Sequence, residues 1–364
     1  MLIYSCLSSH GFGHAARHAS VLAELHRLSP GSRLVVSTAV DPRFLGLVFR
    51  GLPVELRRCR WDVGMVQSDA LGTDPEATLA ALAELHKELP DQIAAEAAWL
   101  AAQSSPVLIV GDVPPAAASL AGRLRAPLVW MANFGWDEIY APLGGAFSDY
   151  AQAAAEAYSR GDLLLRCPFS LAMPWGLREI SIGLTASQPR PLPRSFEQAL
   201  STDARPRVFV GFGGLGFALD DRLLRGWSSH RFVLSEPALA SERVRLAACS
   251  NVLLLPEGVR PLDLLPHCER HLGKPGYSSF CEALSSDVGL HVVTRSGFAE
   301  ATALMDGLQR HGRHLILSRH QLETGDWQLD QPLHPAKDGP LANDGAAVAA
   351  KAILDCCGGD DQDC

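Results

Sequence analysis

Short apolar runs of strand length alternate with amphipathic helical stretches twice over in this chain, and that rhythm demands parallel sheets covered by helices on both faces. Leu2–Leu7 reads as a first strand, Ala15, Ala19, Leu22 and Leu25 recur at helical spacing, and Arg33–Ser37 returns to strand. An alanine-rich helical pattern runs from about Pro75 to Ala102, with a break expected at Pro90. Residues 107–110 form a buried-type strand ending in Gly111 and Asp112, followed by a helix over 116–124 and a strand over 127–131. The rhythm changes near residues 163–174. The proline-rich segment 188–194 suits an extended connector. Strand patterns then resume at 207–210, 231–234, 252–255 and 290–294, and a last helix covers roughly 344–355. The expected division is an N-terminal Rossmann-like domain over 1–187, a C-terminal one over 188–342, and a helix with an acidic, disordered tail over 343–364. A length of 364 residues, 47% of them hydrophobic, supplies apolar material for two such cores. Two similar halves imply a cleft between them, where ligands commonly bind.

The formal charge of −8 argues against nucleic acid as the main partner. No basic leader precedes the first strand, and no apolar window reaches the 18 residues of a membrane span, so a cytoplasmic location is expected. The nine cysteines are scattered singly apart from Cys356-Cys357, with no CxxC pair, which reads as free thiols in a reducing compartment.

The densest chemical signal is the cluster Gly273-Lys274-Pro275-Gly276-Tyr277-Ser278-Ser279, which breaks the chain just before a helical run. Ser278 and Ser279 suit an N-cap, and unpaired amides at a helix start favour an anion. Lys274, one of only four lysines, strengthens that site for a diphosphate. Glu282 lies about one turn into the helix, close enough to accept hydrogen bonds from an attached ribose. A nucleotide, and more specifically a nucleotide sugar, is the ligand this chemistry favours.

Other loops follow strand ends, where ligands meet an open parallel sheet. His10-Gly11-Phe12-Gly13-His14 offers backbone approach at Gly11 and Gly13 and an imidazole base, His14 first and His10 in reserve. His10, His14 and His18 are spaced by four, but the HExxH pattern is missing and no metal site is expected. Asp112 either orients a histidine or caps the next helix. Asn133, Trp136 and Asp137 mix ring and polar groups as sugar sites do, with a buried aromatic plug as the competing reading. Gly211-Phe212-Gly213-Gly214-Leu215-Gly216 satisfies GxGxxG, and Glu236 stands where a dinucleotide fold would hold ribose. Glu300 either meets donor-sugar hydroxyls or is a solvated loop acid.

In this order, these loops resemble the family 28-like GT-B glycosyltransferases, and most closely the glycosyltransferase-like N-terminal half of plant L-arabinokinases. The resemblance is carried by His10 to Ala15 with Arg17, Gly111 to Pro114, Asn133 to Tyr140, Leu163 to Phe169, Phe212 to Gly214, Gly273 to Tyr277, Glu282 to Leu284, Phe298 to Glu300 and Leu322 to Trp327. It implies a donor nucleotide sugar in the second domain, with Glu282 on the ribose, Ser278 and Ser279 at the phosphates and backbone near Val259 at the base; the residues themselves place Gly213 and Gly214 in a glycine loop facing the diphosphate and Gly276 in the phosphate cluster. It also implies an acceptor in the first domain, activated by His14 with Asp112. Ala301-Thr302-Ala303 replaces polar residues that often follow Glu300 in similar enzymes. No Gly-Leu-Ser-Ser-Ser phosphate loop occurs, so kinase activity is not expected.

The expected function is metal-independent transfer of a sugar from a nucleoside diphosphate, UDP among the candidates, to a hydroxyl of a small-molecule, lipid or glycan acceptor, with inversion. The donor is a substrate and no separate cofactor is expected. A GT-B epimerase or hydrolase, a non-catalytic nucleotide-sugar binder and, more weakly, a dinucleotide oxidoreductase are the alternatives.

Overall fold

The computed structural model describes residues 1–69, 71–213, 220–237, 239–294 and 298–356. Gly214, Leu215, Gly216 and the acidic tail therefore lie outside the described residues. Among the described residues thirteen strands fall into two sheets. The first holds β1 (Leu2–Leu7), β2 (Arg33–Ser37), β3 (Val54–Arg57), β4 (Val107–Asp112), β5 (Leu128–Ala132), β6 (Leu163–Arg166) and β7 (Arg178–Ser181), in the order β3-β2-β1-β4-β5-β6-β7. The second holds β8 (Arg207–Gly211), β9 (Arg231–Ser235), β10 (Val252–Leu255), β11 (Arg270–Gly273), β12 (Gly289–Val293) and β13 (His314–Leu317), in the order β10-β9-β8-β11-β12-β13. Every pairing between these strands is parallel. Parallel strands covered on both faces are mostly apolar, as the wholly buried β1 and β5 show.

The expected break at Pro90 does not occur. One helix, Pro75–Ala101, runs through it, and the Asp74 side chain caps its start by accepting from the Ala77 amide. An interior proline costs about 3 kcal/mol. Leu82, Ile93, Ala97 and Leu100 sink into the same core as Tyr4 and Ile109, and each large apolar side chain recovers about 1.5–3 kcal/mol. Burial wins.

The halves share apolar packing as well as a cleft. One core cluster includes Ile3 and Leu22 from the first half and Phe280 and Leu304 from the second. The Arg190 guanidinium, on the connector, donates to the carbonyls of Leu47 and Arg50 at 3.0 Å each. The last helix, Gly345–Asp355, crosses back and packs on Phe12–Leu28. Residues late in the chain thus complete the first half in space.

Candidate active site

Loops leaving the C-terminal ends of β1, β5, β8, β9, β10, β11 and β12 line a cleft of about 1370 Å³ between the halves. His14 and Arg17 line it on the first half, with the buried Asp112 bonded to both behind them. Gly11 starts the Phe12–Leu28 helix in an extended conformation, so His14, Arg17 and His18 share the helix face turned towards the end of β4. The Nδ1 of His14 lies 2.7 Å from Oδ1 of Asp112. Burial pushes the Asp112 carboxyl up, but the charges and hydrogen bonds of Arg17 and His14 outweigh it and hold the group well below the usual carboxylate range. An ionised carboxylate can only accept, so Nδ1 of His14 carries the proton of this hydrogen bond. The carboxylate meets the ring and does not cap the helix that follows.

His10 is held differently. The Met65 amide donates to its Nδ1 at 3.2 Å, and its ring stacks on Phe298 with centroids 5.5 Å apart. Its Nδ1 is therefore occupied as an acceptor. His10 lines the cleft beside His14.

The opposite wall is the start of the Tyr277–Ser285 helix. Gly213, at φ +80, bends the chain beside Lys274, and a Cβ there would lie 3.5 Å from the lysine Cε. Lys274, Gly276, Ser278, Ser279, Glu282, Val259 and Glu300 all line the cleft, as do Gly11 and Gly13 across from them. The expected serine cap is corrected by the geometry. Gly276 is the N-cap, no side chain caps the helix, and the Ser278 hydroxyl donates instead to the Gly13 carbonyl at 2.7 Å. The first amides stay uncapped by side chains, and the two loops are pinned together. Burial pushes the Glu282 carboxyl up to about 7, with Arg260 opposing and Asp263 adding to the rise.

Two expected acceptor contacts lie elsewhere. Trp136 is 1% exposed, its indole N–H donating to Asp62 at 2.9 Å and its ring stacked on Tyr140. Asp137 is buried behind it and accepts from the Trp175 indole at 3.0 Å. Neither lines the cleft, because the helix Trp136–Tyr140 turns them into the aromatic core under the loop. The plug reading was the right one. Trp136→Ala is expected to cost about 3–5 kcal/mol of stability without changing acceptor preference, read by denaturant unfolding beside product profiles. Asn133 reaches the cleft, but its amide bridges two protein groups: Oδ1 accepts from Arg17 at 2.6 Å and Nδ2 donates to Glu300 at 2.8 Å. Glu236 also lines the cleft, paired with Arg243 at 2.8 Å. Among the described residues no group of three His, Cys, Asp or Glu side chains is arranged to hold a metal ion, and no helix is long and apolar enough to cross a membrane.

No family model matches the chain. It is 27% identical over 360 residues to L-arabinokinase of Arabidopsis thaliana, covering 95% of this chain and 33% of that protein. The chain thus spans about a third of the length of the curated relative it matches. Among solved structures, Medicago truncatula UGT71G1 complexed with UDP-glucose superposes with a TM-score of 0.61 at 12% identity, covering 98% of each chain. Arabidopsis thaliana UGT89C1 complexed with quercetin superposes with a TM-score of 0.59 at 15% identity, covering 99% of this chain and 90% of that one. Phytolacca americana UGT2 complexed with UDP-2fluoro-glucose and pterostilbene gives 0.59 at 14%, covering 98% and 94%. The fold is GT-B: two Rossmann-like domains with parallel sheets flanking a central cleft. The resemblance read from the loops holds at the level of fold.

Proposed function

We propose that the protein is a metal-independent, cytoplasmic glycosyltransferase that moves a sugar from a nucleoside diphosphate to an acceptor hydroxyl with inversion. The observation that carries this reading is the pairing of His14 with Asp112 at 2.7 Å, in one cleft with the start of the Tyr277–Ser285 helix. Nε2 of His14 takes the acceptor proton as the acceptor oxygen attacks the anomeric carbon from the face opposite the diphosphate. The sugar–oxygen bond to the diphosphate breaks, and the leaving group keeps the electron pair. Amides at the helix start and Lys274 receive its charge; preorganised donors of this kind contribute about 3–4 kcal/mol each. The proton rests on His14 until solvent removes it. The complexes of the structural neighbours with UDP-glucose and with quercetin support a nucleotide sugar and a small-molecule acceptor as the substrate classes.

A thermal-shift panel of nucleoside diphosphates and their sugars tests the donor half, since stabilisation grows by about 1.4 kcal/mol per decade of ligand above its dissociation constant. Product analysis with and without acceptors tests the chemistry. Sugar product formed with no acceptor would reassign the site to a GT-B epimerase or hydrolase. Nucleotide binding with no turnover of any sugar would make it a binder only, the reading that Ala301-Thr302-Ala303 favours. Stabilisation by NADH and by no nucleoside diphosphate would overturn the proposal.

A further inference from the structure

Arg17 is buried to 1% exposure at the centre of the site, and nothing in the reaction above uses it. Its Nε donates to Asp112 Oδ2 at 2.9 Å and Oδ1 at 3.1 Å, and Nη2 also meets Oδ1. Its Nη1 holds Asn133, and its Cζ lies 4.8 Å from the centre of the Tyr277 ring, at the first turn of the helix on the opposite wall. Asp112 is wholly buried. A carboxylate in that position keeps its charge only beside a cation. Two groups compete to supply one: the permanent guanidinium of Arg17, and a proton on His14.

We propose that Arg17 is a positioning residue that serves as the counter-charge of Asp112, so that His14 is oriented by the carboxylate without being held as an imidazolium. A base that already carries its proton cannot accept another. With Arg17 in place the Arg–Asp pair is neutral, and Nδ1–H of His14 points at Oδ1 by hydrogen bonding alone. The surrounding ionisable groups leave Arg17 as that cation. His18 Nδ1 stands 3.7 Å from Asp112 Oδ2, but its Nε2 is tied to Ser5 Oγ at 2.7 Å. Asp62, on the loop after β3, accepts from Trp136 and from the Ser9 amide. Cys167 and Tyr277 adjoin Arg17 as thiol and phenol, both pushed up by burial.

The reading of turnover rests on the proposed reaction; the protonation state does not. Nitrogen-15 NMR of histidine-labelled protein, with the His14 signals assigned by their loss in His14→Gln, reads both ring nitrogens at pH 7.5 without substrate. Wild type is expected to show one protonated and one bare nitrogen. Arg17→Gln is expected to show both protonated, with turnover down by about 100-fold or more and UDP stabilisation retained. Arg17→Lys keeps the charge without the fork, so His14 is expected to stay neutral while turnover falls in between. A folded Arg17→Gln protein with neutral His14, or an imidazolium in Arg17→Lys, would overturn the proposal. If Arg17→Gln does not fold, adding Asp112→Asn removes the stranded charge and is expected to restore folding; failure to do so also overturns it. Absence of any transfer by wild type would overturn the proposed function and leave the NMR result standing.

Discussion

Replacing His14 by alanine is expected to lower turnover by about 10³-fold and to leave nucleotide binding close to that of wild type. General-base catalysis contributes about 10²–10⁴-fold. The upper part of that range applies where the base is prealigned, and here Nδ1 is fixed 2.7 Å from Asp112 while the Phe134 ring meets it edge-on with centroids 6.0 Å apart. The donor wall belongs to the other half, with Lys274, Ser279 and Glu282 on the Tyr277–Ser285 helix and the loop before it. Turnover and nucleotide affinity should therefore separate. Single-turnover rates with saturating donor, alongside calorimetry on the same protein, check this. A loss below about tenfold would mean that another group takes the proton, and His10, whose Nδ1 already accepts from Met65, is poorly placed for it.

The sheet architecture was readable because parallel strands need no alternation, and runs such as residues 107–110 are apolar on both faces. Strands that carry polar residues escaped. β11 is central, bonded to β8 and β12, yet it opens with Arg270 and His271. Those side chains look unfit for a core until their neighbours are known: Arg270 donates to the Gln331 carbonyl at 2.8 Å, and His271 packs against Phe209. Its imidazole is pushed down to about 4 by burial, so it stays neutral there. β3 and β7 are edge strands, only partly buried, and too short for periodicity to register. Pro90 misled in the opposite sense, because a local rule was outweighed by tertiary packing that no window of sequence contains.

Site residues were legible where position in a parallel sheet decides exposure. The His10–His14 loop follows β1 and lines the cleft, and Asp112 ends the adjacent β4, buried just behind that loop. Trp136 and Asp137 also follow a strand, but a short helix intervenes and its rotation cannot be read from residue types alone. Arg17 was visible only as part of a motif. The signal that could have marked it is spacing: three residues after His14 and one before His18, it must share their helix face, which in a helix leaving β1 points into protein. An arginine at such a place requires a buried acid, and Asp112 is the acid at the adjacent strand end.

Glu282 carries the remaining large effect. Glu282→Ala is expected to weaken UDP binding by roughly 10–100-fold, the loss of hydrogen bonds to a charged acceptor worth about 1.5–3 kcal/mol. The carboxyl is pushed up to about 7 by burial, so near neutrality it is split between acid and carboxylate. A ribose diol presents two donors and favours the carboxylate. Binding should therefore strengthen as the pH rises from 6 to 8, by at most about tenfold, as the ionised fraction grows. Folding has the opposite sign. Between the ordinary glutamate value and 7 the native state keeps a proton that the unfolded chain has lost, so this group's contribution to stability is fully present at low pH and fades as pH rises through 7. Calorimetry with UDP at the two pH values, on wild type and Glu282→Gln, isolates the effect, because protonation of the phosphates is common to both proteins. If the two proteins share one pH slope and one affinity, the ribose does not meet this carboxylate, and the nucleotide assignment loses its anchor on the second half.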